Sequence, residues 1–471
     1  MYFVGAFAAA FALWVDRMFG SPTIDQIRYH LRFAEGAAVQ MSEVFVSTLL
    51  VEVVVVAVVT GAVATALHPH LARTLSGWKG RAMHTVPHLC VAGGLAMLLF
   101  QFSFFSYAAA HFEEDRFARS YVDPSATAWT EVSRRNLILV YVESLEESYA
   151  DATLFGDDLL RPLRTVGGQS LTTYHQSPGA TWTIAAMVAT QCGVPLTVYS
   201  EDDVQRKNDE RTFLPGAKCL GDILQERGYR NVFLGGAPLS FAGKGAFLRD
   251  HGYHERYGKE EWIATGARPP GTQEPELGGW GMFDDALLAR ARQQVAALHA
   301  SGQPFNLTVL TLDTHNPNGY RSPRCLRRGN KGGALAFEGI VACVSAELAD
   351  FVRFVRENGY LKDTTLVILG DHLAVGNPVD AKLRTVADRR VFNLFVGAPT
   401  FPHSVEPIVS FDMFPTLLEA TGVRTTDGRL GLGRSAWPPR ALQSDWVQHP
   451  NLAALAASTA YQRLWKPVEG R

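Results

Sequence analysis

Residues Asn136–Val142 read NLILVYV, and Glu143 follows at once. A short apolar run without polar alternation is the pattern of a strand buried on both faces. Asn231–Leu234, Phe305–Leu312 (FNLTVLTL), Thr365–Leu369 (TLVIL) and Val391–Val396 (VFNLFV) repeat it. Stretches of helical period lie between them, at Leu220–Arg227, Phe283–Ala300 and Val344–Asn358. Strands alternating with helices predict an α/β domain with a mostly parallel sheet and helices on both faces. In such sheets chemistry gathers at the carboxyl ends of the strands. Here those ends carry Glu143, then Asp313, Thr314 and His315, then Gly370, Asp371 and His372.

Glu143, Asp371 and His372 are ligand types for a divalent cation such as Zn²⁺ or Mn²⁺. Taken singly each has a plainer reading. An Asp-His pair after a strand often starts a capped helix, Glu143 would serve as a cap, and His315 as an ordinary loop histidine. The functional reading rests on three strand ends offering suitable groups in one fold class.

A hydroxyl source lies at Pro178–Leu196 (PGATWTIAAMVATQCGVPL). Thr181 and Thr183 follow a Pro-Gly turn and precede an apolar helical run. A helix start is where backbone N–H groups converge, which suits a hydroxyl that must carry a phosphoryl group. A metal beside it would lower the hydroxyl pKa and neutralise a phosphoryl oxygen.

The chain has 471 residues, 47% hydrophobic and 19% charged, and its mean hydropathy is near zero, high for a soluble protein. The excess sits at the N-terminus. Phe45–Leu67 and Val86–Ala109 are long apolar runs, and Met1–Val15 is a shorter one ending at Asp16 and Arg17. A span needs roughly 20 apolar residues, and the pattern predicts about three transmembrane helices over 1–110. Arg73, Lys79 and Arg81 place the loop between the second and third in the cytoplasm, and everything after about residue 110 outside. Glu52 falls within the second run, where it would pair with a neighbouring helix or serve a function. Gly20–Ser42 fits either an amphipathic surface helix or a structured loop. Residues 111–135 are polar and read as a linker, leaving 136–471 as the external domain.

Of five cysteines, Cys90 lies in a membrane run and four lie outside. An oxidising compartment favours disulfides. Three pairings are open, and short separations favour Cys192–Cys219 and Cys325–Cys343. A four-cysteine metal site lacks the CxxC spacing it would need. A net charge of −2 and the lack of a nucleic-acid motif give no case for nucleic-acid binding.

With these residues assembled, the chain resembles the alkaline phosphatase superfamily. Within it, the chain is most similar to membrane-anchored phosphoglycerol transferases of osmoregulated periplasmic glucans. Lipoteichoic acid synthases and phosphoethanolamine transferases are their relatives. The segments that carry the likeness are VYVESLE (140–146), the Pro178–Leu196 stretch, CLGDIL (219–224), LSFAGKGAFLRDHGY (239–253), TLDTHNPNG (311–319), GDHLA (370–374) and LGLGRS (430–435). The resemblance implies Glu143, Asp371, His372 and a threonine as ligands of Mn²⁺, Zn²⁺ or Mg²⁺. It implies His315 at the phosphoryl oxygen or leaving group, and Lys244 near the phosphate. Trp280, in GWGMFDD, would form a wall of the acceptor groove. The nucleophile in the family pattern falls seven residues before the motif methionine, and counting back from Met187 gives Ala180. Thr181 is the reading adopted, with Thr183 in the binding site. Attack by Thr183, or loss of the nucleophile, are the alternatives.

The implied activity is transfer of phosphoglycerol from phosphatidylglycerol to a periplasmic glucan or related surface sugar. It would run through a covalent threonine intermediate, on a multi-pass inner-membrane protein with a periplasmic catalytic domain. A phosphoethanolamine transferase or sulfatase-like hydrolase is the alternative, though the C-x-P-x-R nucleophile signature of sulfatases is absent. Ala180 keeps open a non-catalytic relative.

Overall fold

The computed structural model describes residues 1–19, 43–102, 104–105, 109, 113–197, 212–328, 336–400, 406–437 and 442–467. It divides into two compact units, Met1–Glu113 and Glu114–Arg471.

The first unit contains helices α1 (Tyr2–Phe19), α2 (Val46–Thr74) and α3 (Val86–Gln101). Among the described residues only α2, with 29 residues, is long and apolar enough to cross a membrane. The three spans expected from sequence therefore reduce to one candidate. Asp16 and Arg17 take the last turn of α1 out of the apolar run. Small residues let α1 and α3 touch: a Cβ on Gly94 would lie 2.4 Å from Gly5 O. Glu52 sits in a π-helical stretch of α2, Leu49–Val55, and is paired with Arg17 of α1. The amphipathic helix considered for Gly20–Ser42 lies outside the described residues.

The second unit is built on a six-stranded sheet. Its strands are β1 (Asn136–Val142), β2 (Arg230–Gly235), β3 (Glu255–Tyr257), β4 (Phe305–Leu310), β5 (Thr364–Gly370) and β6 (Asn393–Val396). The order is β3-β2-β4-β1-β5-β6. All neighbours are parallel except β6, which runs antiparallel to β5. The five predicted strands are present. In this sheet sequence missed β3, a short charged edge strand (Glu-Arg-Tyr), the form that discourages pairing with another chain. The β4 run ends at Leu310 rather than Leu312, because the Leu312 and Asp313 N–H groups turn to the Asp284 carboxylate at 2.7 and 3.1 Å.

One sheet face is apolar. Ile138, Val140 and Val142 of β1 share a core with Leu307 and Val309 of β4 and with α6 (Asp284–Ala300) and α8 (Phe337–Glu357). The other face carries α4 (Thr183–Cys192) and α9 (Met413–Thr421), tied down through Tyr141 and Thr365. Residues 114–135, predicted as linker, are partly folded onto this unit. Asp115 caps a helix over Arg116–Ser120, and Trp129–Glu131 pairs antiparallel with Val423–Thr425. Their polar composition reflects a half-exposed edge rather than free chain.

Both expected disulfides are present: Cys192–Cys219, between α4 and the start of α5 (Leu220–Glu226), and Cys325–Cys343. The second joins α7 (Pro323–Arg328) to α8 across 18 residues of sequence. Closing a loop of that size restricts the unfolded chain by roughly 3 kcal/mol. The C325A/C343A double variant is expected to lose about that much unfolding free energy in denaturant titrations of the oxidised protein.

Candidate functional site

Parallel register brings the site together. Val142 of β1 pairs with Gly370 of β5, so Glu143 and Asp371 leave adjacent strands side by side. With His372 they form a buried cluster whose ligand atoms all lie within 4.8 Å of one another. His372 Nδ1 donates to Leu373 O at 2.9 Å, which turns the Nε2 lone pair inward. Nε2 lies 3.4 Å from Asp371 Oδ2 and 3.6 Å from Glu143 Oε1. Asp371 Oδ2 is buried and has no hydrogen-bond donor.

The charge state follows from this crowding. Burial, with Glu143 adding to it, raises the Asp371 pKa to about 6, against the pull of His372. Burial lowers the His372 pKa, but Asp371 and Glu143 outweigh it and the net shift is upward. Two carboxylates and an imidazole nitrogen converging in a buried space favour a proton or a metal between them. The donor set, two hard oxygens and a borderline nitrogen with one oxygen unpartnered, fits a divalent transition metal.

A backing shell fixes these groups. Ser144 adopts φ +52°, in the sparsely populated left-handed region. There its N–H donates to Asp371 Oδ1 at 2.7 Å and its hydroxyl to Glu143 Oε1 at 2.7 Å. Thr314 Oγ1 donates to Glu143 O at 2.5 Å. Glu146, fully buried, pairs with Arg389 and accepts from Ala374 N at 3.0 Å. This couples the exit of β1 to the loop after His372. Asp284 ties the Trp280 segment to the loop of His315, and burial raises its pKa to about 7. Sequence reading missed Ser144, Glu146, Arg389 and Asp284. Arg389 lies 243 residues from its partner, and nothing local marks Ser144 for positive φ.

The two threonines are placed differently. Thr183 opens α4, and its hydroxyl donates to Glu143 Oε2 at 3.4 Å. Its N-cap, Trp182, gives no side-chain cap, so the first N–H groups of α4 have none from that side chain. Thr181 is exposed, two residues before the helix, and Ala180 is fully buried. The Thr183 hydroxyl thus reaches the acidic cluster.

Lys244 is almost fully buried. Burial lowers its pKa to about 8, opposed by Glu143. His315 donates from Nδ1 to Asn316 O at 2.7 Å. Burial lowers its pKa to about 4, and His372 and Lys244 push the same way, so the ring is neutral near pH 7 with Nε2 as an acceptor. Trp280 packs edge-on against His315 at 4.1 Å and against Phe241 at 5.1 Å. Trp280 and His315 therefore form one wall.

A family model described as Sulfatase matches residues 135–423. Phosphoglycerol transferase I of Escherichia coli O127:H6 is 34% identical over 358 residues, which are 74% of this chain and 45% of that protein. The protein of the same name from strain K12 aligns with the same figures. The chain thus spans about half the length of the curated relatives it matches. Among solved structures, lipoteichoic acid synthase LtaP from Listeria monocytogenes aligns at 16% identity over 66% of this chain and 79% of that chain, with a TM-score of 0.49. The Sulfatase match covers most of the second unit, including Glu143, Thr183, His315, Asp371 and His372, and this chain belongs to the sulfatase family.

Proposed function

We propose that this chain is a membrane-anchored phosphotransferase. It moves phosphoglycerol from phosphatidylglycerol to a hydroxyl of a periplasmic glucan or related surface sugar. The observation that carries the reading is the Thr183 hydroxyl at the head of α4, facing Glu143 of the buried Glu143–Asp371–His372 cluster. The 34% identity to phosphoglycerol transferase I supports the choice of group transferred. The apolar helix α2 supports an anchor in the inner membrane, with residues 1–110 as anchor and 136–471 as periplasmic catalytic domain.

Glu143, Asp371, His372 and the Thr183 oxygen would hold a divalent metal such as Mn²⁺, Zn²⁺ or Mg²⁺. Bound there, it would supply neutralisation of a phosphoryl oxygen and acidify the hydroxyl. The protein's own groups divide the remaining work. Thr183 Oγ1 attacks phosphorus, its proton directed toward Glu143 Oε2. The bond from phosphorus to the diacylglycerol oxygen breaks, and diacylglycerol leaves carrying that proton. Phosphoglycerol stays on Thr183, its oxygens facing the N–H groups at the start of α4 and the Lys244 ammonium. A sugar hydroxyl then attacks phosphorus, neutral His315 accepts its proton at Nε2, and the proton returns to Thr183 as that bond breaks. Trp280 offers an aromatic wall for the acceptor sugar beside His315.

Four outcomes test this reading. In full-length protein given labelled phosphatidylglycerol, mass spectrometry is expected to find a phosphoglycerol adduct on the Thr183 peptide. T183A should abolish adduct and turnover, while T181A keeps both. Full activity in T183A would sink the assignment. Labelled phosphatidylethanolamine tests the alternative donor, and its preferential turnover would replace phosphoglycerol as the group. Added Mn²⁺ or Zn²⁺ should raise the Tm of wild type but not of D371N, because a ligand that binds only the folded state stabilises it.

The last concerns pH. Lys244 has its pKa lowered to about 8, so its positive charge is present below that pH and lost above it. The kcat/KM for phosphatidylglycerol should fall as pH rises through about 8. K244R keeps its charge and should move that alkaline limb upward. An unmoved limb would remove Lys244 from donor binding.

A further inference from the structure

The sheet face under α4 is polar where a core is normally apolar. Tyr141, Gln191, Tyr253, Asn306 and Thr308 are all fully buried, and Thr190 nearly so. Their polar groups form one connected chain. Thr190 Oγ1 and Tyr141 OH share a hydrogen bond of 2.6 Å, and Gln191 Nε2 donates to Tyr141 OH at 3.3 Å. Tyr253 OH donates to Gln191 Oε1 at 3.0 Å and lies 3.0 Å from Thr308 Oγ1. Asn306 Nδ2 reaches Tyr253 OH at 3.0 Å and Asn231 Oδ1 at 3.1 Å, and Asn231 ends the chain on the carbonyls of Gly221 and Gly252.

Spacing links this chain to the reacting hydroxyl. Thr183 and Thr190 are seven residues apart, hence on one face of α4 about two turns apart. Tyr141 and Glu143 are two residues apart and leave β1 on the same side. The helix therefore meets the strand at two rungs, Thr190 with Tyr141 and Thr183 with Glu143. Apolar packing tolerates small slides and rotations of a helix, whereas a directional buried hydrogen bond does not.

We propose that Tyr141, Thr190, Gln191 and Tyr253 are positioning residues: the buried polar chain sets the rotation and axial register of α4 so that the Thr183 hydroxyl faces Glu143. This rests on the reading of Thr183 as nucleophile and metal ligand. None of the four touches the reacting atoms. They act through α4, and their loss moves the hydroxyl rather than removing it.

The test uses full-length protein with Y141F, T190V, the double variant and V295A. Val295 lies in the apolar core around α6, so V295A serves as a purely structural control. A shift of a reacting group by about 1 Å costs up to roughly 100-fold in rate. Y141F and T190V are therefore expected to lower kcat by at least about tenfold, with KM for phosphatidylglycerol within about twofold of wild type. Mn²⁺ affinity should weaken in both. The double variant should be no worse than the worse single, since the two share a rung. V295A should lower Tm without touching kcat. Wild-type kcat and Mn²⁺ affinity in folded Y141F and T190V would overturn the proposal, as would an equal loss of kcat in V295A. If wild type itself shows neither adduct nor turnover, the functional reading fails. Mn²⁺ affinity then decides the positioning claim alone: weakened in Y141F it stands, unchanged it falls.

Discussion

Glu143 and Asp371 are held side by side by the parallel register of β1 and β5, out of water and facing the inward nitrogen of His372. Like charges repel strongly in a low-dielectric interior, and leaving one unpaired there is costly. The rise of the Asp371 and His372 pKa values expresses that tension as a demand for positive charge. A divalent cation answers it with one ion, and a phosphoryl group would bring the counter-charge. The neutral His315 and the weakened basicity of Lys244 follow from the same burial. Each makes a group available in a form it would not hold in water.

Such a cluster persists only if its framework is stiffer than the repulsion. Ser144, in a strained backbone conformation, gives one donor to each carboxylate, so the strain sits where the two strands deliver their charges. The Glu146–Arg389 pair fastens the loop after His372 to the exit of β1. Asp284 gathers the N–H groups of Leu312 and Asp313 and fixes the turn that presents His315. Around this polar centre lies an ordinary apolar core of β1, β4, α6 and α8, which supplies most of the burial.

The sheet was legible because buried parallel strands write themselves as unbroken apolar runs, as in NLILVYV and TLVIL. Its charged edge strand Glu255–Tyr257 was not, since an exposed edge carries no apolar signal. The disulfide pairs followed from separation along the chain. Three membrane spans were expected, and among the described residues one helix is long and apolar enough to cross. Part of the predicted linker is folded, Trp129–Glu131 pairing with Val423–Thr425, since polar residues also line an exposed edge strand.

Glu143, Asp371 and His372 come together because they follow adjacent strands closely, and strand ends in a parallel sheet share one rim. Which threonine meets them could not be read from sequence. Thr181 and Thr183 have the same chemistry and differ by two positions in a turn. The point at which α4 begins decides where each hydroxyl lies, and that start is set by how the helix packs. The same holds for Ser144 and Arg389, whose roles come from a backbone angle and from a partner more than 200 residues away. Sequence by itself determined which chemical groups exist and which element carries each. Tertiary packing alone determined their distances, because register, helix rotation and long-range pairing are set by the whole chain at once.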